Sequence, residues 1–272
     1  MHSEQLLSQA ERNIARRDAE ILLAAAWQRS RAALLAGAGE PVPDEVAARF
    51  TAACARRAAG EPVAYLLGRR EFWSLEFAVS PAVLVPRPET ELLVERVLEQ
   101  VRSPRARVAD LGTGSGAIAI ALAHERPGWS VLGSDRSEDA LAVARRNGAR
   151  LAPERVEWLH GSWYEPLGSR RFDAIASNPP YVAADDPVLG GDGLRHEPRE
   201  ALTPGGDGMS ALATLINGAP AHLEPGGWLF LEHGALQGAA LRDALVARGF
   251  THVTSHRDLA GHERVTEGQW SR

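Results

Sequence analysis

A proline-rich tetrapeptide, Asn178-Pro179-Pro180-Tyr181, follows directly after the apolar run at residues 172–176. Asn178 and Pro179 each precede a proline and therefore favour extended backbone, and the two prolines have no N–H to donate. The Asn178 side-chain oxygen and the Pro179 carbonyl can thus converge as two hydrogen-bond acceptors. Two acceptors suit a planar NH2 group, against which the Tyr181 ring can pack. The alternative is a rigid proline turn that only ends a strand.

A glycine-rich segment at residues 110–116 (DLGTGSG) lies between a short apolar run and a helix-forming stretch. Glycines let the main chain approach a ligand closely, and the N-terminus of a helix offers unpaired N–H groups. Asp135 ends the next apolar run, where a carboxylate can accept both hydroxyls of an adenosine ribose. The loop by itself fits a nicotinamide dinucleotide, S-adenosylmethionine or no ligand. Asp110 favours S-adenosylmethionine, because its carboxylate would repel a pyrophosphate and suits an ammonium and a sulfonium.

These two motifs together predict transfer of a methyl group to nitrogen. The lone pair of an amide or aryl amine is delocalised, so such a nitrogen is a poor nucleophile. Binding both of its N–H bonds favours a more pyramidal nitrogen whose lone pair faces the methyl donor, and it stabilises the positive charge that develops. The methylated nitrogen is still cationic and loses its proton easily to water, so no strong base is needed before transfer.

The elements that position these motifs begin with a helical region of about seventy residues. Residues 17–26 are rich in helix formers, a second helix starts at residues 43–45 and stops at Gly60, and a short third helix spans residues 61–68. Next, residues 71–85 predict a β-hairpin, with strands at 71–79 and 82–85 and a turn at Ser80-Pro81.

From residue 107 onward the pattern alternates strand, turn and helix. Strands are predicted at residues 108–111, 130–133, 172–176 and 228–232, and helices at 117–123, 138–147, 209–223 and 235–248. This alternation predicts an α/β fold with a parallel, doubly wound sheet, helices on both faces, and ligands bound at the carboxyl ends of the strands. The longest irregular stretch, residues 183–208, is a candidate functional loop. Within it Glu197 could receive a proton or serve at the surface or as a hinge.

The composition excludes several classes of protein. The chain has 272 residues, of which 44% are hydrophobic and 24% charged. Its net charge of −5 disfavours binding to the phosphate backbone of a nucleic acid as its main role. Its single cysteine, Cys54, excludes an intramolecular disulfide and a multi-cysteine zinc site, and is expected to be a small core residue. The nine histidines form no cluster, so no metal is expected. The absence of a long apolar run and of a secretory leader predicts a cytoplasmic protein with no membrane contact.

With these motifs in place, the sequence resembles the PrmC/HemK family of protein-(glutamine-N5) methyltransferases, which modify the glutamine of the Gly-Gly-Gln motif in class I peptide chain release factors. The resemblance covers most of the chain. Residues 18–23 and 60–68 and the Phe72-Trp73 pair are similar to the family's release-factor-binding domain and linker. Residues 86–91 (PRPETE) are similar to the signature before its catalytic domain. Residues 196–198, 205–208 and 258–264 also match, with Glu263 where the family often has Asp.

The resemblance implies a Rossmann-like class I S-adenosylmethionine-dependent methyltransferase sheet. Its domains would be a helical release-factor-binding domain at residues 1–70, a β-hairpin linker at 71–88 and a methyltransferase domain at 89–272. The cofactor would be S-adenosyl-L-methionine, leaving as S-adenosyl-L-homocysteine. The cofactor-binding residues expected from the motif and the resemblance are Asp110, Gly112, Thr113, Gly114, Ser115, Gly116, Asp135, Trp163, near the adenine, and Asn178. The glutamine pocket would be formed by Asn178, Pro179, Pro180 and Tyr181, with Asn178 and Pro179 as the catalytic pair.

Two other functions are kept as alternatives. The tetrapeptide is shared with adenine-N6 nucleic-acid methyltransferases, so it does not choose the substrate. The helical domain and the PRPETE segment favour a protein substrate, and the acidic charge balance disfavours direct nucleic-acid contact. The second alternative is a module that senses the cofactor without catalysis. The expected partner is a class I release factor, and a monomer is expected.

Overall fold

The computed structural model describes residues 1–271 and divides them into two compact units. The first unit comprises Met1–Arg69 together with Gly191–His196, and the second comprises Arg70–Gly190 and the chain from Glu197 onward. The candidate motifs at residues 110–116 and 178–181 both lie in the second unit.

The first unit is helical, as predicted. Its helices are α1 (Ser3–Ala10), α2 (Arg16–Ala26), α3 (Arg31–Ala36), α4 (Asp44–Ala58) and α5 (Val63–Leu67). Their apolar faces pack into one core around Leu23 and Phe50. Cys54 is only half-buried at the edge of this core, so the prediction of a core cysteine was wrong. It lies near the end of α4. Only one face of this helix packs on the core, and its buried residues are Val46 and Phe50.

The second unit opens with a β-hairpin whose turn differs from the predicted one. Strands β1 (Arg69–Phe72) and β2 (Leu75–Ala78) pair around Trp73 and Ser74, and the Ser80-Pro81 segment is not a turn between strands. Trp73 and Ser74 have positive φ values of 53° and 55°. A two-residue hairpin turn can require positive φ at both positions, although residues other than glycine rarely adopt it. Tertiary contacts hold the turn, because the Trp73 N–H donates to Glu91 (2.8 Å) and its indole N–H donates to Glu125 (2.9 Å).

The remaining elements form a doubly wound α/β unit. In chain order they are α6 (Glu91–Gln100), β3 (Arg107–Leu111), α7 (Ala117–Glu125), β4 (Ser130–Asp135), α8 (Glu138–Leu151), β5 (Val156–His160), β6 (Phe172–Ser177), α9 (Arg199–Leu202), α10 (Ser210–His222), β7 (Leu223–Glu232), α11 (Gly238–Arg248), β8 (Phe250–Arg257) and β9 (Glu263–Trp270). Within the described residues the sheet has seven strands in the order β5-β4-β3-β6-β7-β9-β8.

The sheet is not parallel throughout, which corrects the prediction. Strand β9 pairs antiparallel with both β7 and β8, whereas the pairs among β3, β4, β5, β6 and β7 are parallel. The short turn between β8 and β9 allows only antiparallel pairing of these two strands. The edge strand β5 was not predicted, because its five residues (VEWLH) do not alternate strictly between apolar and polar side chains.

Helices cover both faces of the sheet. Alternate residues of each strand point to opposite faces, so that Val108 packs with α6 and α7 while Ala109 and Leu111 pack with α10 and α11. Both faces of the sheet are therefore buried against helices. Since β3, β4, β5 and β6 run parallel, the segments that follow them emerge at one edge. Among residues 1–271, no helix is long and apolar enough to cross a membrane.

Candidate active site

A cavity of about 400 Å³ opens at this edge of the sheet. Its walls come from the loop after β3, the segments after β4, β5 and β6, the start of α10, and residues 82–90 and 198–204. Of the predicted site residues, those that line the cavity are Gly112, Thr113, Gly114, Ser115, Asp135, Trp163, Asn178 and Pro180. The structure therefore brings the two sequence motifs together around one cavity.

The glycine loop after β3 is held open by its backbone conformation. Gly112, Gly114 and Gly116 have φ values of 75°, 55° and 83°, in the region that favours glycine. The N–H groups of Gly112 and Thr113 donate to the carbonyl of Ser134 at 2.9 and 2.8 Å, which ties the loop to β4. A Cβ on Gly112 would lie 3.4 Å from the Trp163 ring, so the main chain and this ring approach closely at the cavity wall.

Asp135, at the end of β4, organises the same wall. Its Oδ2 accepts a hydrogen bond from the Gly114 N–H (2.9 Å) and its Oδ1 accepts one from the Ser137 N–H (2.9 Å). The side chain is only partly buried and lines the cavity. A carboxylate oxygen can accept more than one hydrogen bond, so the group can accept from a ligand's hydroxyls while it holds the loop.

Asp110 lies beneath the loop and not in the cavity wall, which differs from the expected direct contact with a cofactor. Its carboxyl is fully buried, and Oδ2 accepts from the Thr113 hydroxyl (2.5 Å) and the Ala119 N–H (3.2 Å). Burial raises the pKa of Asp110 to about 7 against the lowering effect of these hydrogen bonds. Gly116 also lies outside the cavity wall, where a Cβ would meet the Trp158 ring at 2.8 Å.

Asn178 lies at the cavity immediately after β6. Its Nδ2 donates to the Thr90 hydroxyl at 3.1 Å, so its Oδ1 is the side-chain atom left to accept. Neither this oxygen nor the Pro179 carbonyl receives a hydrogen bond from residues 1–271. Asn178 Oδ1 is thus an open acceptor at the cavity, whereas the Pro179 carbonyl has no partner among these residues but does not line the cavity.

The other tetrapeptide residues differ in their surroundings. Pro180 lines the cavity, whereas Pro179 is buried and Tyr181 is half-buried outside the cavity wall. The Tyr181 hydroxyl donates to Glu232 at 3.3 Å, and burial raises the pKa of this hydroxyl. The predicted packing of the Tyr181 ring against a substrate stays a prediction.

The irregular segment at residues 183–208 contributes to the site. Its ends are tied together by hydrogen bonds from the Val182 N–H to the Leu202 carbonyl (3.0 Å) and from the Ala184 N–H to the Gly206 carbonyl (2.9 Å). Glu197 is 6% exposed, which excludes the suggested surface role. Its carboxylate bonds to the Arg87 guanidinium (2.5 Å) and accepts from the Val85 N–H (2.9 Å), so it anchors the PRPETE segment.

The residues at this cavity fit the adenosine part of S-adenosylmethionine. The glycine loop brings main chain to the wall, Asp135 offers a partly exposed carboxylate suited to a ribose diol, and Trp163 offers an aromatic surface. Thr90 and Arg87, which also line the cavity, were not singled out from the sequence, although the PRPETE signature contains both. Among residues 1–271, no group of three or more His, Cys, Asp or Glu side chains could hold a metal ion.

Comparisons with known proteins agree with this arrangement. Two family models match the chain: the PrmC N-terminal domain over residues 1–68 and the methyltransferase small domain over residues 88–209. The chain is also similar to the solved structure of the T. thermophilus 16S rRNA N2 G1207 methyltransferase in complex with AdoMet and guanosine. The two share a TM-score of 0.53 and 22% sequence identity, and the match covers 74% of this chain and 49% of that one. At this identity the likeness shows the methyltransferase fold.

Curated relatives extend over nearly the whole chain. The release factor glutamine methyltransferase of Xylella fastidiosa is 50% identical over 265 residues, covering 97% of this chain and 96% of that protein. The release factor glutamine methyltransferase of Pseudomonas aeruginosa is 51% identical over 257 residues, covering 94% and 93%. With about half of its residues identical to such relatives along almost its full length, the chain belongs to the release factor glutamine methyltransferase family.

Proposed function

We propose that this enzyme transfers the methyl group of S-adenosyl-L-methionine to the side-chain amide nitrogen (N5) of the glutamine in the Gly-Gly-Gln motif of class I release factors. The names of its relatives support the substrate. The observation that carries the proposal is the orientation of Asn178: its Nδ2 is engaged by Thr90, so an acceptor oxygen remains at the cavity.

The residues that would hold the cofactor are those of the cavity wall after β3, β4 and β5. Asp135 would accept the ribose hydroxyls, residues 112–115 would approach with their main chain, and Trp163 would pack against the adenine. When bound, S-adenosyl-L-methionine supplies an electrophilic methyl group on a sulfonium. Asp110, buried behind the loop, would act through the loop geometry that it holds by its bonds to Thr113 and Ala119.

The glutamine amide would be held by the Asn178 side-chain oxygen and the Pro179 carbonyl, one N–H to each. These two acceptors orient the nitrogen and stabilise the positive charge that it acquires, while they leave its lone pair free. The nitrogen would form one bond to the methyl carbon while the carbon–sulfur bond of the donor breaks and S-adenosyl-L-homocysteine leaves, and the cationic nitrogen would then lose one proton to water. Positioning and electrostatics therefore carry the reaction, and no side chain has to remove a proton first.

Mass spectrometry of release-factor peptides tests this function. The purified enzyme is incubated with a release factor and a methyl donor labelled on the methyl group, and we expect label on the glutamine of the Gly-Gly-Gln motif. A release factor in which Asn replaces that glutamine is the control and should stay unlabelled. Label in DNA or RNA with none in the release factor would establish the adenine-N6 alternative. Tight cofactor binding without any acceptor would favour the sensing module.

The remaining assignments are proposals that rest on the sequence. We propose that residues 1–70 bind the release factor, that residues 71–88 link them to the methyltransferase domain at 89–272, and that the enzyme acts in the cytoplasm as a monomer without direct nucleic-acid contact. Light scattering of the purified enzyme tests the oligomeric state, and pull-down with residues 1–70 deleted tests the binding domain.

A further inference from the structure

Glu232 is a buried carboxyl for which the proposed reaction has no use. It ends β7, beside the carboxyl end of β6, where Ser177 pairs with Leu231. It is 1% exposed, and one of its two carboxyl oxygens has no hydrogen-bond partner within residues 1–271. Burying an ionisable group in such a place costs free energy. We therefore asked what this carboxyl contributes to the site.

Both neighbours of this carboxyl belong to the amide-binding region. The Tyr181 hydroxyl donates to its Oε1 at 3.3 Å. The Thr90 side chain lies near enough to Glu232 to lower the pKa of its carboxyl against the larger, raising effect of burial. The second carboxyl oxygen, Oε2, is buried and has no hydrogen-bond partner within residues 1–271, so it is open to accept from the Thr90 hydroxyl.

Thr90 connects Glu232 to Asn178. Its oxygen accepts a hydrogen bond from Asn178 Nδ2 at 3.1 Å. The single proton of the Thr90 hydroxyl is not used in this bond. It can therefore be donated to an acceptor other than Asn178. Burial raises the pKa of Glu232 to about 7. Above that pH the ionised carboxylate accepts and cannot donate, so it gives the chain of hydrogen bonds one direction, from Asn178 to Thr90 to Glu232.

This direction decides which end of the Asn178 amide faces the cavity. With Nδ2 bound to Thr90, Oδ1 faces outward as an acceptor. If the amide turned over, Nδ2 would present N–H groups to a substrate NH2, and donor would face donor. An acceptor at Glu232 therefore disfavours the unproductive orientation.

We propose that Glu232 is a positioning residue that acts through Thr90 to hold the Asn178 side-chain oxygen toward the substrate amide. This inference rests on the proposed function, since it assigns Glu232 to the same reaction. It predicts that removing the acceptor slows methyl transfer without weakening cofactor binding.

The test compares Glu232→Gln, which keeps the size of the side chain, with Glu157→Gln as a matched control. Glu157 is 51% exposed on β5 and pairs with Arg170. At about pH 8, above the pKa of Glu232, we expect Glu232→Gln to lower kcat for a release factor about tenfold to a hundredfold, the equivalent of one charge-assisted hydrogen bond. The KM for the release factor and the Kd for the cofactor should stay within about twofold of wild type, and Glu157→Gln should match wild type.

Thr90 variants test the connection independently of the folding of Glu232→Gln. Thr90→Val should lower kcat by a similar factor, and Thr90→Ser, which restores a hydroxyl, should regain it. The double variant of Thr90→Val and Glu232→Gln should be no slower than the slower single variant, because both break one chain of hydrogen bonds.

The inference is overturned if Glu232→Gln or Thr90→Val keeps wild-type kcat, or if their losses multiply in the double variant. A loss of cofactor binding and thermal stability along with activity would assign Glu232 a structural role instead. Failure of the wild-type enzyme to methylate a release factor would overturn the proposed function as well. Normal wild-type activity with an unaffected Glu232→Gln variant would overturn this inference alone.

Discussion

Nδ2 of Asn178 donates a hydrogen bond to the Thr90 hydroxyl across 3.1 Å, between residues 88 positions apart in the chain. Thr90 belongs to the PRPETE segment before α6, and Asn178 follows β6. This bond explains why two sequence motifs far apart in the chain serve one site. The PRPETE segment orients the side chain of Asn178, and the tetrapeptide would use that side chain to bind its substrate.

Replacing Asn178 by alanine removes one of the two proposed acceptors. We expect Asn178→Ala to lower kcat for release-factor methylation at least about a hundredfold, the usual effect of deleting a group that stabilises developing charge. The cofactor should still bind, because the walls formed by Asp135 and Trp163 remain. Label transfer and calorimetric titration of the cofactor measure the two effects. Asn217→Ala, at an exposed position of α10, is the control. Undiminished transfer by Asn178→Ala would remove the two-acceptor mechanism.

Asp135 supplies the carboxylate proposed for the ribose. Asp135→Asn keeps the size of the side chain but replaces one acceptor oxygen by a donor, so we expect cofactor affinity to fall about tenfold or more. Asp139→Asn changes an exposed acid in the first turn of α8 and should leave affinity unchanged. Titration calorimetry compares the two variants, and equal affinities would exclude Asp135 from the cofactor site.

Gly208 lies against the main chain of the tetrapeptide. A Cβ at this glycine would stand 2.2 Å from the Tyr181 carbonyl oxygen, whereas a Cβ on Gly205 meets nothing within 4 Å. Their φ values are similar, 83° and 90°, so alanine at either position brings comparable backbone strain of about 1 kcal/mol. Only Gly208→Ala should also displace Tyr181 and its neighbours, and we expect kcat to fall about tenfold or more. Steady-state kinetics of the two variants check this, and equal rates would refute the steric argument.

Glu267 is a buried carboxylate on β9 held by α6. It is 2% exposed and accepts hydrogen bonds from Arg96 (3.1 Å) and Gln100 (2.9 Å). Arg96→Met would leave the buried carboxylate with only the His256 ring, at 3.3 Å, as a basic partner, so we expect the free energy of unfolding to fall by about 3 kcal/mol. Glu99→Gln breaks only the exposed bond from Arg96 to Glu99 and should change stability by about 0.5 kcal/mol or less. Urea denaturation measures both, and similar values would show that the buried pair contributes little.

Asp110 should make the stability of the enzyme depend on pH. Burial raises the pKa of its carboxyl from an ordinary value of 3.8 to about 7. Between these values the native state keeps a proton that the unfolded chain has lost, so the free energy of unfolding falls as pH rises. The slope reaches about 1.4 kcal/mol per pH unit and flattens above about pH 7.

Asp110→Asn removes this titration. Urea denaturation of both proteins between about pH 5 and pH 8 should show a shallower decline for the variant. Glu232, whose pKa burial also raises to about 7, contributes equally to both proteins, so the difference in slope belongs to Asp110. Identical slopes would mean that Asp110 is ionised throughout this range in the folded enzyme.

Periodicity and motif order predicted most of the architecture. Short apolar runs separated by helical stretches specify a parallel sheet, and in such a sheet every loop that follows a strand emerges at the same edge. The glycine loop, Asp135 and Asn178 could therefore be assigned to one cavity from chain order alone. The strong turn residues did not locate the hairpin, because Trp73 and Ser74 adopt positive φ only with support from Glu91 and Glu125.

Packing alone decided where individual side chains point. A residue next to a motif can face the cavity or the core, and neighbouring sequence does not distinguish the two. Asp110 is turned beneath its loop by Thr113 and Ala119. Glu197 is buried against Arg87, 110 residues away in the chain.

The amino-acid sequence by itself thus determined the family, the alternation of strands and helices, and the sheet edge that carries the site. Tertiary structure alone determined the antiparallel β9, the interior position of Asp110 and the hydrogen bond from Asn178 to Thr90. The reason is physical: local pattern reports which face of an element is apolar, whereas a hydrogen bond between distant segments exists only after the core has packed and brought them together.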